Sequence, residues 1–123
     1  MSVTTKQVAI TTAADGSFSQ VITCPGEILA IGLVIGNLST PDIAITDTLT
    51  GAAIFSKAGI AASARFQPRV LGQTSAGVDI AAAAGPPAID NVYVPPACFR
   101  QLSIAVTGAG DTKSGTLYIL VER

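Results

Sequence analysis

Two stretches decide the fold class: Gln101-Leu102-Ser103-Ile104-Ala105-Val106-Thr107 and, after a glycine-rich break, Thr116-Leu117-Tyr118-Ile119-Leu120-Val121-Glu122. In the first, Leu102, Ile104 and Val106 alternate with Gln101, Ser103, Ala105 and Thr107. In the second, Leu117, Ile119 and Val121 share one face and Tyr118 and Leu120 the other. Period-two alternation is the signature of a half-buried strand. With Gly108–Gly115 between them, the two read as a hairpin. Working outward, the same reading applies along the chain. Lys6–Thr12 alternates, Ala14–Ser17 turns, and Phe18–Thr23 is the next strand. Glu27–Ile35 is nearly all apolar and reads as a strand covered on both faces. Asp42–Thr48 and Ala53–Lys57 form a hairpin about Thr50-Gly51. Pro68 keeps Arg65–Val70 extended and places it at an edge or strand end. Ala81–Ala84 with Gly85-Pro86-Pro87 reads as a surface loop with one helical turn, and Asn91–Val94 as a short strand. No stretch keeps helical apolar spacing for three turns. The expectation is all-β: an antiparallel β-sandwich of jelly-roll type with about eight strands. It forms a single domain over residues 1–123, with the N-terminal segment as an arm.

Composition narrows the function. The 123 residues are 49% apolar and only 12% charged, with a net charge of −1. Disordered chains are polar and highly charged, which this one is not. No basic excess is present for nucleic acid or for an anionic membrane surface. The longest apolar run, Ile28–Ile35, is too short to span a bilayer, and no secretory leader is legible. A soluble protein made in a cytoplasm is expected, with the Asn37-Leu38-Ser39 sequon incidental. Histidine is absent, which removes the commonest general base and the commonest transition-metal ligand. The two cysteines, Cys24 and Cys98, lie far apart and read as reduced, buried small hydrophobes.

Each candidate for chemistry has a plainer reading. Gly108-Ala109-Gly110-Asp111-Thr112-Lys113-Ser114-Gly115 has the glycines and lysine of a phosphate loop. It lacks the Gly-Lys step and the following helix that such a loop needs. Asp42 and Asp47 are five apart, on opposite faces of a strand, and read as solvated strand-end or turn residues. Asp79, Asp90 and Asp111 show no calcium-loop spacing. No metal, cofactor or catalytic set is assigned, and the chain is read as no enzyme. Arg65 and Arg69 share a face of an extended segment and, with Arg100, suit ion pairing at a protein contact. So few charges on a domain this small leave many uncharged side chains at its surface, which favours permanent contacts.

Several motifs resemble a group of small tailed-bacteriophage virion proteins. They are Ile45-Thr46-Asp47, Phe66-Gln67-Pro68-Arg69-Val70, Tyr93-Val94-Pro95, Arg100-Gln101-Leu102-Ser103-Ile104-Ala105-Val106 and Gly110-Asp111-Thr112-Lys113-Ser114-Gly115-Thr116. The similarity covers roughly residues 43–123. In such proteins a strand, a Gly-Asp-x-Lys-x-Gly loop and a final strand close a β-sandwich. The resemblance implies a non-enzymatic head decoration, or cement, protein on the capsid exterior. Its partners would be the major capsid protein and further copies of itself, a trimer first and a dimer second. Arg65, Arg69 and Arg100 would make polar contacts to the capsid protein. The Gly108–Gly115 loop, with Asp111 and Lys113, would be a docking tip. A tail, neck or fibre component is the alternative within the particle, and a carbohydrate-binding β-sandwich module the alternative outside it.

Overall fold

In a computed structural model the chain is described over residues 2–71, 76–77 and 93–123. Its strands are β1 Val3–Thr11, β2 Phe18–Thr23, β3 Gly26–Val34, β4 Asp42–Asp47, β5 Ala53–Lys57, β6 Ala64–Phe66, β7 Val70–Leu71, β8 Tyr93–Val94, β9 Ala97–Cys98, β10 Gln101–Thr107 and β11 Ser114–Glu122. The expected loop at Ala81–Pro87 and the start of the Asn91–Val94 strand lie outside the described residues.

Two antiparallel sheets face each other. One has the order β1-β11-β3-β6, with β9 also paired to β3; the other has the order β2-β10-β4-β5. The long strands pair as nested couples: β1 with β11, β2 with β10, β3 with β6, β4 with β5. This is the connectivity of a jelly roll, a folded double ribbon whose halves alternate between two sheets. The N-terminal segment, read as an arm, pairs with β11 from Val3↔Glu122 to Thr11↔Ser114 and forms a sheet edge.

The alternation rule predicts the core well. Leu102, Ile104, Leu117, Ile119 and Val121 are fully buried, and Val106 nearly so. Ile43 and Ile45 from β4 and Val8 and Ile10 from β1 complete the same layer. The pairing expected for the last two strands is wrong, however. β10 lies between β2 and β4, while β11 lies between β1 and β3 in the opposite sheet. Their apolar faces meet across the core instead of side by side. Alternation fixes which side chains point inward and leaves open which sheet the strand joins.

β3 also differs from expectation. Ile28, Ile31 and Leu33 are buried, but Ala30 and Gly32 are only half-buried and Val34 is exposed. One face alone meets the core. A register break between Leu120 and Val121 pairs them with Ala30 and Ile28 and leaves Leu29 without a partner. This bulge turns Ile28 and Ile31 to the same side despite their odd spacing, so a one-sided strand resembles a continuous apolar run.

At one end, β2–β3 and β9–β10 cross between the sheets together. Thr23 pairs with Gln101, the Cys24 N–H donates to Arg100 O at 3.0 Å, and Gly26 pairs with Cys98. Gly26 makes the bend at φ 129°, and a Cβ there would collide with Glu122 O. Cys24 and Cys98 plug this corner as free, buried thiols. Cys24 sits at the crossing between β2 and β3, and Cys98 is in β9 opposite Gly26. Burial pushes both thiols above their usual range, so both stay protonated.

Candidate interaction surfaces

The Gly108–Gly115 loop crosses from β10 to β11, and four of its backbone donors are engaged within the fold. The Ala109 N–H donates to Gly16 O at 3.2 Å, and the Thr112 N–H to Ala13 O at 3.3 Å. The Lys113 N–H donates to Thr12 Oγ1 at 2.8 Å, and the Ser114 N–H to Asn37 Oδ1 at 2.7 Å. Thr12, nine-tenths and more buried at 3% exposure, donates its own hydroxyl to Gly110 O at 2.7 Å. Gly16 (φ 82°) packs so closely that a Cβ would stand 2.9 Å from Gly110 N. A phosphate cradle needs free N–H groups pointing at the ligand. This loop turns four of its donors to the fold and serves as a packed corner. Asp111 is exposed, with Oδ1 accepting from Thr112 Oγ1 at 2.7 Å, and the half-buried Lys113 lays its stem over Gly110.

The three arginines are not one cluster. Arg65 sits in β6 opposite Gly32, on the outer face of the five-stranded sheet. Arg69 is tied down: its guanidinium donates to Leu29 O at 3.1 Å and to Pro68 O at 2.6 Å. Arg100 lies at the cysteine corner, exposed, at the opposite end of β10 from Asp111 and Lys113. Asp111 and Lys113 share one loop, and the three arginines lie elsewhere, so the five polar candidates form no single cluster.

Asp42 and Asp47 do separate as their spacing demands, but Asp47 is not solvated. It is 1% exposed and closes the β4–β5 turn, accepting from the Leu49 N–H at 3.1 Å and Thr50 Oγ1 at 3.0 Å. Asp42, at the exposed strand start, accepts from the Gly59 N–H at 2.7 Å. Asp47 is thus a buried turn former, and Asp42 an exposed strand-end residue that bridges the open end of the β4–β5 hairpin. Among the described residues, no three His, Cys, Asp or Glu side chains converge on a possible metal site.

The broader feature is the outer surface of the two sheets. On the five-stranded sheet, register places Thr5, Leu120 and Ala30 in one row, and Gln7, Tyr118, Gly32 and Arg65 in the next. Small side chains at Ala30 and Gly32 leave an open depression of about 240 Å³ between Tyr118, Leu120 and Arg65. On the four-stranded sheet the outer rows read Ser19-Ala105-Ala44-Ser56 and Val21-Ser103-Thr46. Neither set carries a charge except Arg65. Exposed large apolar side chains include Val3, Val21, Val34 and Tyr118 on the sheets and Phe99 at the corner. Sequence reading anticipated an uncharged surface. It missed the depression, because alignment of Gly32 beside Tyr118 depends on strand order and register.

No protein-family model matches this chain, and neither curated proteins nor solved structures gave a significant match.

Proposed function

We propose that this chain is a non-enzymatic structural component of a tailed-bacteriophage particle. In this reading it is a head decoration protein made in the host cytoplasm and bound to the outside of the assembled capsid. The observation that carries the proposal is the run of uncharged central rows on the outer faces of both sheets, with Arg65 alone at the depression and the charged pair Glu27 and Glu122 confined to a row at one end. Such a surface suits lasting contact with the major capsid protein better than a transient encounter. The resemblance of residues 43–123 to small virion proteins supplies the assembly. Jelly rolls serve both viral shells and carbohydrate binding, so the fold favours neither. The exposed aromatics Tyr93, Phe99 and Tyr118 lie on different elements and supply no stacking platform, which favours the virion reading.

The mechanism is mass action. A ligand that binds the assembled shell and not its separated subunits raises the shell's apparent stability. At about a hundredfold excess over Kd the gain is about 2.7 kcal/mol per site. The test compares particles made with and without the protein, by thermal genome release and by electron microscopy. Earlier release without it, with density for the chain on the head, is expected. Equal release temperatures, with density in the tail, overturn the decoration role in favour of a tail component.

A further inference from the structure

A sheet edge is a row of unsatisfied backbone donors and acceptors, which proteins blunt with charge, proline, bulges or short strands. In the two sheets, β1, β6, β2 and β5 form the edges, together with the two-residue β9 beside β3. β1 carries Lys6 opposite the fully buried Ile119, an inward-pointing charge on an edge strand. β5 ends at Lys57 and faces a register break between Ile45 and Thr46. β6 has three residues, carries Arg65, and runs into Gln67-Pro68. β2 has none of these devices. Phe18-Ser19-Gln20-Val21-Ile22-Thr23 is free of charge and proline, and its register against β10 is unbroken. Among the described residues, no strand pairs with its outer side.

The hydrogen-bond phase of that edge follows from its neighbours. The Thr48 N–H donates to Gln101 O at 3.1 Å, so Gln101 directs its backbone groups toward β4. Alternation then turns Leu102, Ile104 and Val106 toward β2, where they pair with Ile22, Gln20 and Phe18. Ser19, Val21 and Thr23 are left with their N–H and C=O groups pointing outward.

We propose that β2 is a self-association edge. Two copies pair antiparallel about a two-fold axis at Val21 and continue the four-stranded sheet through both subunits. The strand is self-complementary in three respects. A two-fold centred on a residue keeps core-facing sides together. Centring on Val21, not Gln20, sets outward backbone groups against each other, Val21 with Val21 and Ser19 with Thr23. The half-exposed Val21 side chains then cover one another, and the Ser19 and Thr23 hydroxyls meet as cross-strand partners. A second copy is thus matched in phase, length and lack of charge. This inference does not rest on the assignment to a virion.

The test measures mass by sedimentation from about 1 μM to about 1 mM, the range in which so small an interface shows itself. A dimer is expected for the unaltered chain and for Val21→Ile. Val21→Lys, which opposes two charges at the axis, should halve the mass at the same concentration. Val21→Pro should do so as well, since it removes an N–H that the isolated fold does not use. Amide exchange in the unaltered chain is a second readout independent of the variants. Ser19, Val21 and Thr23 should gain protection as concentration rises, with Gln20 and Ile22 protected throughout. A monomer over the whole range, a trimer, or a dimer untouched by Val21→Lys overturns the proposal. So does unprotected exchange at Val21 at the highest concentration.

Discussion

Replacing Thr12 by valine should destabilise the fold more than replacing it by serine, although valine preserves the volume and serine does not. The hydroxyl is the reason. Thr12 Oγ1 accepts from the Lys113 N–H at 2.8 Å and donates to Gly110 O at 2.7 Å, at a position only 3% exposed. Valine leaves one part-buried donor, the Lys113 N–H, and one part-buried acceptor, Gly110 O, without this partner. An orphaned polar group costs about 1–3 kcal/mol. The Gly110 carbonyl is partly exposed and recovers some of its share through water, so the combined penalty is about 2–4 kcal/mol. Serine keeps both hydrogen bonds and loses one methyl, about 1 kcal/mol. For a chain of 123 residues, a shift of about 4 °C per kcal/mol puts Thr12→Val roughly 8–16 °C below the parent in Tm and Thr12→Ser about 4 °C below. Denaturant titration by circular dichroism, with equal m-values for all three proteins, measures the difference directly. A valine variant within about 0.5 kcal/mol of the parent would show that the corner is not held by this hydroxyl. A serine variant less stable than the valine one would show that packing dominates there.

Two further outcomes test the core and the corner. Ile104→Ala, at a fully buried site between Gln20 and Ile45, should cost about 2–5 kcal/mol in the same titration, and a loss below about 0.5 kcal/mol would refute its core placement. Cys24 and Cys98 should resist alkylation in the folded protein and both react once it is unfolded without reductant; rapid native labelling, or a bridged pair by mass spectrometry, would refute the buried free thiols.

The sequence carries local information well and partnership poorly. Phe18–Thr23 has the strand boundaries its residues suggest, and Leu102, Ile104 and Val106 point inward as their spacing requires. The β4–β5 hairpin is legible because its strands are close in sequence and joined by a Thr-Gly turn. Pairing of β1 with β11 spans the chain, and no local pattern encodes it. The misassigned hairpin has that origin, for β10 and β11 are ideal partners by pattern and belong to different sheets. The polar candidates fail for a related reason. Arg65 and Arg69 are near in sequence, yet the Arg69 guanidinium is held on backbone carbonyls while Arg65 borders an open depression. Asp47 was readable as a turn former, but its burial depends on where the turn packs. In each case the missing quantity is register, which a single strand does not carry.

Face and edge then have different uses on one scaffold. Self-pairing through β2 engages the rim of the four-stranded sheet, whereas the depression beside Tyr118 and Arg65 lies on the outer face of the other sheet. A two-fold axis normal to a continued sheet keeps both partners' five-stranded sheets on the same side of it. Strand twist rotates them relative to one another by roughly 20–25° per strand without inverting them. Over the roughly four strand steps between the subunit centres this amounts to about 80–100°, so the two depressions lie on the same side of the continued sheet but are turned well away from one another. A partner able to reach both would form its second contact at the effective concentration set by the first. An uncharged face of modest affinity becomes an adequate anchor when doubled this way. In the proposed decoration role, such doubling would let a face with few charges hold a capsid through weak individual contacts.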